Sequence, residues 1–309
     1  MAHFAHYRRV IVTMREGTAP VPALRLAAEL AHLLDLELEG VFIENEALLH
    51  LASLPFAREI RLPGHTWQSL DAKRLMADFD LAAGRAERLL AAAARARGVA
   101  STFSILRGDP VAASALGSHP DDILVMAEPE AERPDWPLGR GVEARKIDAG
   151  VLLAPAKSAT RHGPIAAAGR PGLGLALAEA IALRAGEDLL LLTPEGSSRP
   201  PLPLGPRFSA VGVLRRIVPS LAPALLARAA SRSRARLLVL DRIEEQTPDE
   251  QRFLIRFVEQ TGMPVLLTHE PEEPSPSASA RGGRYAFRSA PARGPQSSSP
   301  LSLWERGQG

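Results

Sequence analysis

Short apolar runs rich in β-branched residues alternate with longer amphipathic segments through the first half of the chain. Runs of this kind predict strands, and apolar positions three and four apart predict helices that pack on a sheet. The strands are predicted at residues 10–13, 36–43, 102–106, 123–127 and 151–155, and the helices at residues 23–34 and 71–97. This alternation predicts a parallel sheet with helices on both faces and right-handed crossovers.

The second half repeats the same order in a shortened form. Residues 213–215 (Val-Leu-Arg) match residues 105–107 (Ile-Leu-Arg), and a proline and an Ala/Leu-rich segment follow each of them. The remaining strands are predicted at residues 164–168, 188–193, 237–240 and 262–267, with a helix at residues 173–185. Because order and spacing both recur, the sequence indicates an internal duplication.

The predicted fold class is therefore α/β, with two doubly wound parallel-sheet domains in tandem. We assign residues 8–156 to the first domain and residues 157–270 to the second, shortened domain, with residues 1–7 as an N-terminal extension. After residue 270 the composition changes to Pro, Ser, Gly and Arg. Such a segment buries too little apolar surface to offset its chain entropy, so residues 271–309 are predicted to be a disordered tail.

Composition and charge exclude several classes of site and partner. The chain has no cysteine, which excludes disulfides, thiolate catalysis and cysteine metal sites, and its histidines are too scattered to predict a metal site. The net charge is only +2, and helix capping explains the cluster of Arg228, Arg232, Arg234 and Arg236, so we expect no nucleic-acid partner. The N-terminus has no apolar leader, and no apolar run reaches about 18 residues. We therefore expect a cytoplasmic protein with no membrane association.

The loop after residues 123–127 is the first place to look for a ligand. In a parallel α/β sheet, ligands bind in the loops beyond the carboxyl ends of the central strands. This loop begins Glu128-Pro129-Glu130 and has no glycine before Gly139. A phosphate cradle needs glycines, because only they let successive backbone N–H groups converge on an anion. The fold thus predicts a nucleotide site, whereas the loop sequence argues against one.

Five segments resemble one known family. They are residues 9–13 (Arg-Val-Ile-Val-Thr), 38–43 (Leu-Glu-Gly-Val-Phe-Ile), 107–110 (Arg-Gly-Asp-Pro), 122–126 (Asp-Ile-Leu-Val-Met) and 151–155 (Val-Leu-Leu-Ala-Pro). On these residues the first half resembles the universal stress protein family, and residues 162–269 match it more loosely. The turn at residues 107–110 is the most specific of the five. The resemblance implies adenine-nucleotide-binding-type α/β domains that usually pair through their last strands.

The resemblance also implies where a nucleotide would bind. Its cleft would contain Thr13, Met14, Val41, Met126, Ala127, Gly139, Arg140 and Gly141. In nucleotide-binding members an Asp follows the first strand, but Met14 or Arg15 stands there in this chain. Their phosphate motif is Gly, two residues, Gly, nine residues, then Gly-Ser/Thr.

When the last glycine of that motif is aligned with Gly139, Met126 and Pro129 stand at the positions of its first two glycines. Arg140 stands at the position of its Ser/Thr. Pro129 removes a backbone N–H as well as adding bulk. We therefore expect a degenerate cleft whose nucleotide site is weakened or lost, and no bound cofactor, with ATP as the alternative.

Three further features have two interpretations each. Arg140 either meets a phosphate through its guanidinium fork or is a solvated loop residue, which we favour. Residues 169–174 (Gly-Arg-Pro-Gly-Leu-Gly) join a strand to a helix and form either an anion-binding nest or a flexible connection, which we favour. Residues 48–56 are apolar and form either a crossover helix buried on the sheet, which we favour, or a flap over the cleft.

The leading functional hypothesis is a non-catalytic, stress-related protein that binds a protein partner or a small ligand. The first alternative is a nucleotide-binding protein that uses Gly139-Arg140-Gly141 and the turn at residues 169–174. The second is a weak ATPase or nucleotidyl transferase, which would need a general base and a metal-binding carboxylate that the sequence does not show. We also expect residues 151–154 and 265–268 to lie edge to edge, as an internal pseudo-dimer or in a homodimer through these last strands.

Overall fold

A computed structural model gives the fold of residues 7–16, 21–61, 66–108, 119–127, 149–156, 162–196, 212–241 and 248–269. The strands are β1 (Arg9–Arg15), β2 (Glu37–Asn45), β3 (Arg58–Arg61), β4 (Thr66–Ser69), β5 (Ser101–Gly108), β6 (Asp122–Ala127), β7 (Gly150–Ala154), β8 (Ile165–Ala168), β9 (Leu189–Pro194), β10 (Val213–Val218), β11 (Leu237–Asp241) and β12 (Val265–Thr268). The helices are α1 (Val21–Leu34), α2 (Glu46–Ala52), α3 (Ala72–Arg97), α4 (Leu173–Ala185), α5 (Pro223–Arg232) and α6 (Pro248–Thr261). The predicted disordered tail at residues 271–309 lies outside the described residues, as do residues 1–6 of the predicted extension.

Ten of these strands form one sheet, in the order β10-β9-β8-β11-β12-β7-β6-β1-β2-β5. Within each half all pairs are parallel, and each half places its first strand in the middle of its own five strands. Helices cover both faces, which confirms the predicted α/β class with a doubly wound, mostly parallel sheet. None of the helices in the described ranges is long and apolar enough to cross a membrane.

The two halves meet where β7 pairs antiparallel with β12, a contact that we call the seam. Leu152 lies opposite Leu266 at its centre, with Leu153 opposite Val265 and Val151 opposite Leu267. These are the segments that the sequence analysis places edge to edge. Because the seam is antiparallel, the carboxyl ends of the two sets of parallel strands lie at opposite edges of the sheet. Both last strands are also paired on their other side, β7 with β6 and β12 with β11, so neither has a free edge.

Two apolar layers hold the helices on the sheet. The first contains side chains of α1, α3 and α4, and the second contains those of α5 and α6. At Gly40 in β2 the first layer approaches the backbone closely. An ideal Cβ on that residue would lie 2.7 Å from Leu90 Cδ2 and 2.8 Å from Met14 Cε. Alanine at position 40 would therefore force both side chains out of their present packing.

A chain of ion pairs also joins the two halves across this helical layer. The Arg236 guanidinium, which precedes β11, donates to Glu29 in α1 and lies 3.7 Å from Glu187. All three side chains are at most 18 % exposed, and Arg97 in α3 reaches Glu29 as well, at 3.2 Å. The capping role expected for Arg236 is therefore wrong, because its side chain turns to carboxylates brought near it by the tertiary fold.

Residues 48–56 do not form a helix buried on the sheet, so that expectation is wrong. They form the short α2 and the turn after it, where Leu51 is 44 % exposed and Phe56 is 75 % exposed. A two-stranded ribbon, β3–β4, follows and pairs with no other strand of the described structure. Neither this ribbon nor α6 was predicted from the sequence. The small side chains Ala52 and Ala57 are buried, whereas most of the large apolar side chains of the segment are exposed, so its apolar content did not predict which residues pack inside.

Glu179, which is half-buried in α4, provides a test of how that helix packs. Burial raises the pKa of this carboxyl above its ordinary value of 4.5. Between its ordinary and raised pKa the folded chain holds a proton that the unfolded chain has released, so ionisation opposes folding as the pH rises. We expect Glu179→Gln to raise the melting temperature at neutral pH, with the gain vanishing well below pH 4.5 in circular dichroism melts. A lower melting temperature at neutral pH would contradict this account.

Candidate functional site

The carboxyl ends of β1 and β6 form the candidate cleft of the first half. These neighbouring strands stand where the strand order reverses, with β2 and β5 on one side and β7 on the other. Open α/β sheets bind ligands at such a switch point. The α1 helix begins just beyond β1, so its N-terminus also faces this edge of the sheet.

The structure brings together three of the predicted cleft residues and separates a fourth. Thr13 pairs with Val41 on the neighbouring strand, and Val41 packs against the same apolar layer as Met126. Met14 lies on the opposite face of β1, where it is only 2 % exposed and packs in the layer of α1 and α3. It is therefore a core side chain, and it presents no polar group to an adenine.

Ala127 ends β6, opposite Ala154 of β7. The remaining predicted residues, Gly139, Arg140 and Gly141, lie outside the described residues, as does Pro129. Their proposed contacts with phosphate therefore stay predictions.

Glu16, directly after β1, is an acidic residue of this edge that the sequence analysis did not single out. Burial raises the pKa of its carboxyl above the ordinary value, and the nearby Asp78 carboxylate raises it further. The family pattern aligns Asp with position 14 or 15, so an acidic residue one position further on escapes a strict motif comparison. Glu16 is thus the first acidic residue after β1 in the sequence.

A polar contact of Arg107 lies near the end of β5. The Arg107 Nε and Nη2 atoms donate to Glu44 Oε2 at 3.0 and 2.9 Å. Glu44 is buried in β2 and lies opposite Arg107 in register. This pair links the ends of β2 and β5 and leaves the buried carboxylate neutralised, which is a structural role. Asp109 and Pro110 of the turn lie outside the described residues.

In the second half, the equivalent cleft already contains a carboxylate of the chain. Asp241, at the end of β11, accepts a hydrogen bond from the Gly174 N–H at 2.5 Å, in the first turn of α4. Its Oδ1 atom also accepts from the Thr268 hydroxyl at 3.1 Å, and Arg170 Nε lies 3.5 Å from Oδ2. The N-terminus of a helix favours an anion, and here Asp241 is that anion.

The glycines of this turn are required by the same carboxylate. An ideal Cβ on Gly172 would lie 2.7 Å from Asp241 Oδ2, and one on Gly174 would lie 2.7 Å from Oδ1. The flexible connection favoured for residues 169–174 is therefore wrong, since Asp241 fixes the turn. If the turn is an anion-binding nest, the Asp241 carboxylate of the same chain already occupies it. No sequence signal indicated this, because Asp241 is 67 residues away from Gly174 along the chain.

The two halves differ at the positions that form this contact. The register places Ala127 beside Ala154 in the first half where Asp241 stands beside Thr268 in the second. By sequence, the first half therefore lacks both the carboxylate and the hydroxyl that close the second cleft. Within the described ranges, no three His, Asp or Glu side chains converge to hold a metal ion.

Comparisons with known proteins support the fold. No family model matches the sequence, and no curated protein matches it. Among solved structures, a universal stress protein from Archaeoglobus fulgidus matches with a TM-score of 0.56 at 10 % identity, over 85 % of this chain and 97 % of that chain. A protein of unknown function from Pseudomonas aeruginosa matches with a TM-score of 0.45 at 14 % identity, over 86 % and 93 %. A universal stress protein family member from Burkholderia pseudomallei matches with a TM-score of 0.26 at 23 % identity, over 40 % and 83 %.

The first of these matches covers most of this chain and nearly all of the other. It confirms, at the level of the fold, the resemblance found in the sequence: the chain has the α/β fold of a universal stress protein. A match of this identity concerns the fold alone.

Proposed function

We propose that this chain is a universal-stress-type protein that acts by binding a partner or a small ligand, with its adenine-nucleotide site weakened or lost. The role that we propose is regulatory and non-catalytic. It rests on the fold together with the chemistry of the two clefts. The observation that supports it most is the Asp241 carboxylate at the N-terminus of α4.

Asp241 argues against nucleotide binding by the second half. A phosphate entering this cleft would meet a carboxylate at the helix N-terminus, so both the repulsion and the loss of the Gly174 hydrogen bond oppose its binding. The alternative in which residues 169–174 bind phosphate therefore requires Asp241 to leave its present partners. We infer that this half serves mainly as a scaffold.

The first half supports the proposal in a different way. Its cleft lies at a switch point of the sheet, but Met14, one of the two residues that the family pattern aligns with the adenine-binding Asp, is a core side chain. The sequence replaces the phosphate glycines with Met126 and Pro129. A ligand of this cleft would meet the partly buried side chains of Thr13 and Val41, because Met126 is itself buried in the second apolar layer. We propose a small ligand or a partner side chain with little negative charge.

The pairing of β7 with β12 supports a further part of the proposal, the internal pseudo-dimer. Family members usually pair through their last strands, and this chain contains such a pair within itself. A homodimer through the same strands would need an edge that both have already used. We therefore propose that the chain works as one pseudo-dimeric unit.

Thermal unfolding with ATP tests the proposal directly. A ligand that binds only the folded state stabilises it by about 2.7 kcal/mol at one hundred times its Kd. We expect no resolvable shift in the melting temperature with millimolar ATP and Mg²⁺, and no stoichiometric ATP, ADP or AMP in mass spectra of the purified chain. Mg²⁺ alone and GTP are the controls.

A clear shift with ATP would instead favour the nucleotide-binding alternative. In that case the Arg140→Ala variant identifies the loop responsible, because the alternative assigns a phosphate contact to Arg140. Loss of the shift in this variant would support the loop around Gly139-Arg140-Gly141. A shift accompanied by nucleotide turnover would favour the weak ATPase or transferase.

A further inference from the structure

A groove of about 490 Å³ lies where α1 and α3 of the first half meet the residues that precede β11 and β12 in the second half. We call it the inter-half groove. Its volume falls within the range of small-molecule sites, about 300–1,000 Å³. Thr13, Val41 and Asp241, which mark the two candidate clefts, do not line this groove, so a ligand bound in it would occupy a third place on the chain.

Most of the wall of the inter-half groove is apolar. The α1 helix contributes Val21, Pro22 and Leu26, which are only partly buried. The α3 helix contributes Leu89, which is also partly buried, and Ala96, which is exposed. Apolar surface that is still in contact with water favours an apolar molecule that covers it. The wall therefore favours a ligand with an apolar body.

The charged part of the groove consists of three arginines and one glutamate. Arg236 donates to Glu29 and lies 3.7 Å from Glu187, and Nη2 of Arg97 lies 3.2 Å from Glu29. Arg25 is exposed and forms no ion pair or hydrogen bond with a residue in the described part of the chain. The two carboxylates balance two of the three guanidinium groups, so one positive charge remains.

This remaining charge favours a monoanion over a nucleotide. A phosphate ester brings between one and two negative charges, and a nucleoside triphosphate brings more, whereas the groove has only one cation in excess. A carboxylate has a single charge and accepts two parallel N–H bonds from one guanidinium fork. Arg97 contacts Glu29 through Nη2, so its other N–H groups are free to donate to a ligand, as are those of Arg25.

We propose that the inter-half groove binds an organic monocarboxylate, with its apolar body against Leu26 and Leu89 and its carboxylate at Arg25 and Arg97. The apolar body covers surface that α1 and α3 leave partly exposed, and the carboxylate neutralises the excess charge. Pro264 adds a wall from the second half, so the bound molecule contacts both halves. Such binding does not depend on whether either cleft holds a nucleotide.

Isothermal titration calorimetry of the full chain with decanoate and with 4-phenylbutanoate tests this site. Decanoate has a linear aliphatic body and 4-phenylbutanoate an aromatic one, so the pair shows which body the groove accepts. We expect at least one of them to bind saturably, with one molecule per chain. Acetate has the charge without the apolar body, and decyltrimethylammonium has the body with the opposite charge. Neither of these controls is expected to bind.

The Arg25→Gln/Arg97→Gln double variant is expected to weaken this binding at least about tenfold, because it removes charge-assisted hydrogen bonds to the carboxylate. Arg95→Gln is the matched control. Arg95 also lies in the last turn of α3, but it does not line the groove. We expect the affinity of this control to stay within about twofold of the wild type, since exposed charges contribute little at a distance.

The Ala96→Trp variant fills the groove without removing a charge, so it separates binding in the groove from a general attraction of anions. It is expected to abolish binding, whereas Ala77→Trp, on an exposed position of α3 outside the groove, is expected to bind like the wild type. Circular dichroism identifies the variants that are folded. The site is wrong if neither carboxylate binds the wild-type chain saturably, or if several molecules bind per chain. It is also wrong if a folded Ala96→Trp or double variant keeps the wild-type affinity.

Discussion

The Arg236→Ala variant is expected to lose about 3 kcal/mol of unfolding free energy, because it removes the cation between two largely buried carboxylates. Glu29 and Glu187 are 14 % and 18 % exposed, and Arg236 contacts both. Removing one partner of a buried ion pair costs more than the pair contributes, since the remaining charge stays desolvated. Arg97 still reaches Glu29 at 3.2 Å, which moderates the loss.

Urea unfolding followed by circular dichroism measures this effect. Arg97→Ala is the matched control, because it removes a second arginine from the same Glu29 but one that is 40 % exposed. We expect that control to lose less than about 1 kcal/mol. Equal losses in the two variants would show that the position of Arg236 between the halves has no special importance. If the dependence of the unfolding free energy on urea concentration changes as well as the midpoint of the transition, the two halves unfold separately.

The Asp241→Ala variant is expected to show two effects, lower stability and a new affinity for anions. Without the carboxylate, the Gly174 N–H loses its acceptor and the Thr268 hydroxyl keeps only the Leu240 carbonyl oxygen at 3.4 Å, which costs about 2 kcal/mol. The emptied helix N-terminus then faces Arg170 without a competing negative charge. Inorganic phosphate should therefore stabilise this variant and not the wild-type chain.

Melting curves over a phosphate series, at constant ionic strength, separate the two effects. The stabilisation should approach about 2.7 kcal/mol at one hundred times the Kd. Asp241→Asn is the control, since the amide oxygen still accepts from Gly174 while the charge is lost, so we expect a smaller loss of stability and weaker phosphate binding. If phosphate stabilises the alanine variant no more than the wild type, Asp241 does not fill an anion site.

The sequence predicted most of the sheet because its signals are local. The helix expected at residues 173–185 appears with those bounds, and the strands differ from the predicted limits by a few residues. Such elements follow from apolar periodicity within a short window. The ribbon β3–β4 escaped prediction because its strands are short and exposed, so they lack the apolar alternation of a half-buried strand.

The candidate site was less predictable because its decisive contacts join distant parts of the chain. Met14 looked like a cleft residue by alignment, but the alternation of β1 directs it into the core. Asp241 and Gly174 belong to different crossovers, and only the parallel pairing of β8 with β11 brings the two elements together. A pattern within one segment contains no information about such a pair.

The seam joins two halves whose clefts can change independently. In a symmetric dimer of identical chains, every substitution appears on both sides of the twofold axis. Here the two sides have separate residues, so Asp241 closes one cleft while position 127 of the other remains alanine. Because both halves belong to one chain, they are always present in a ratio of one to one. A substitution in one half does not appear in the other. One half can thus lose a ligand while the other keeps or exchanges its own.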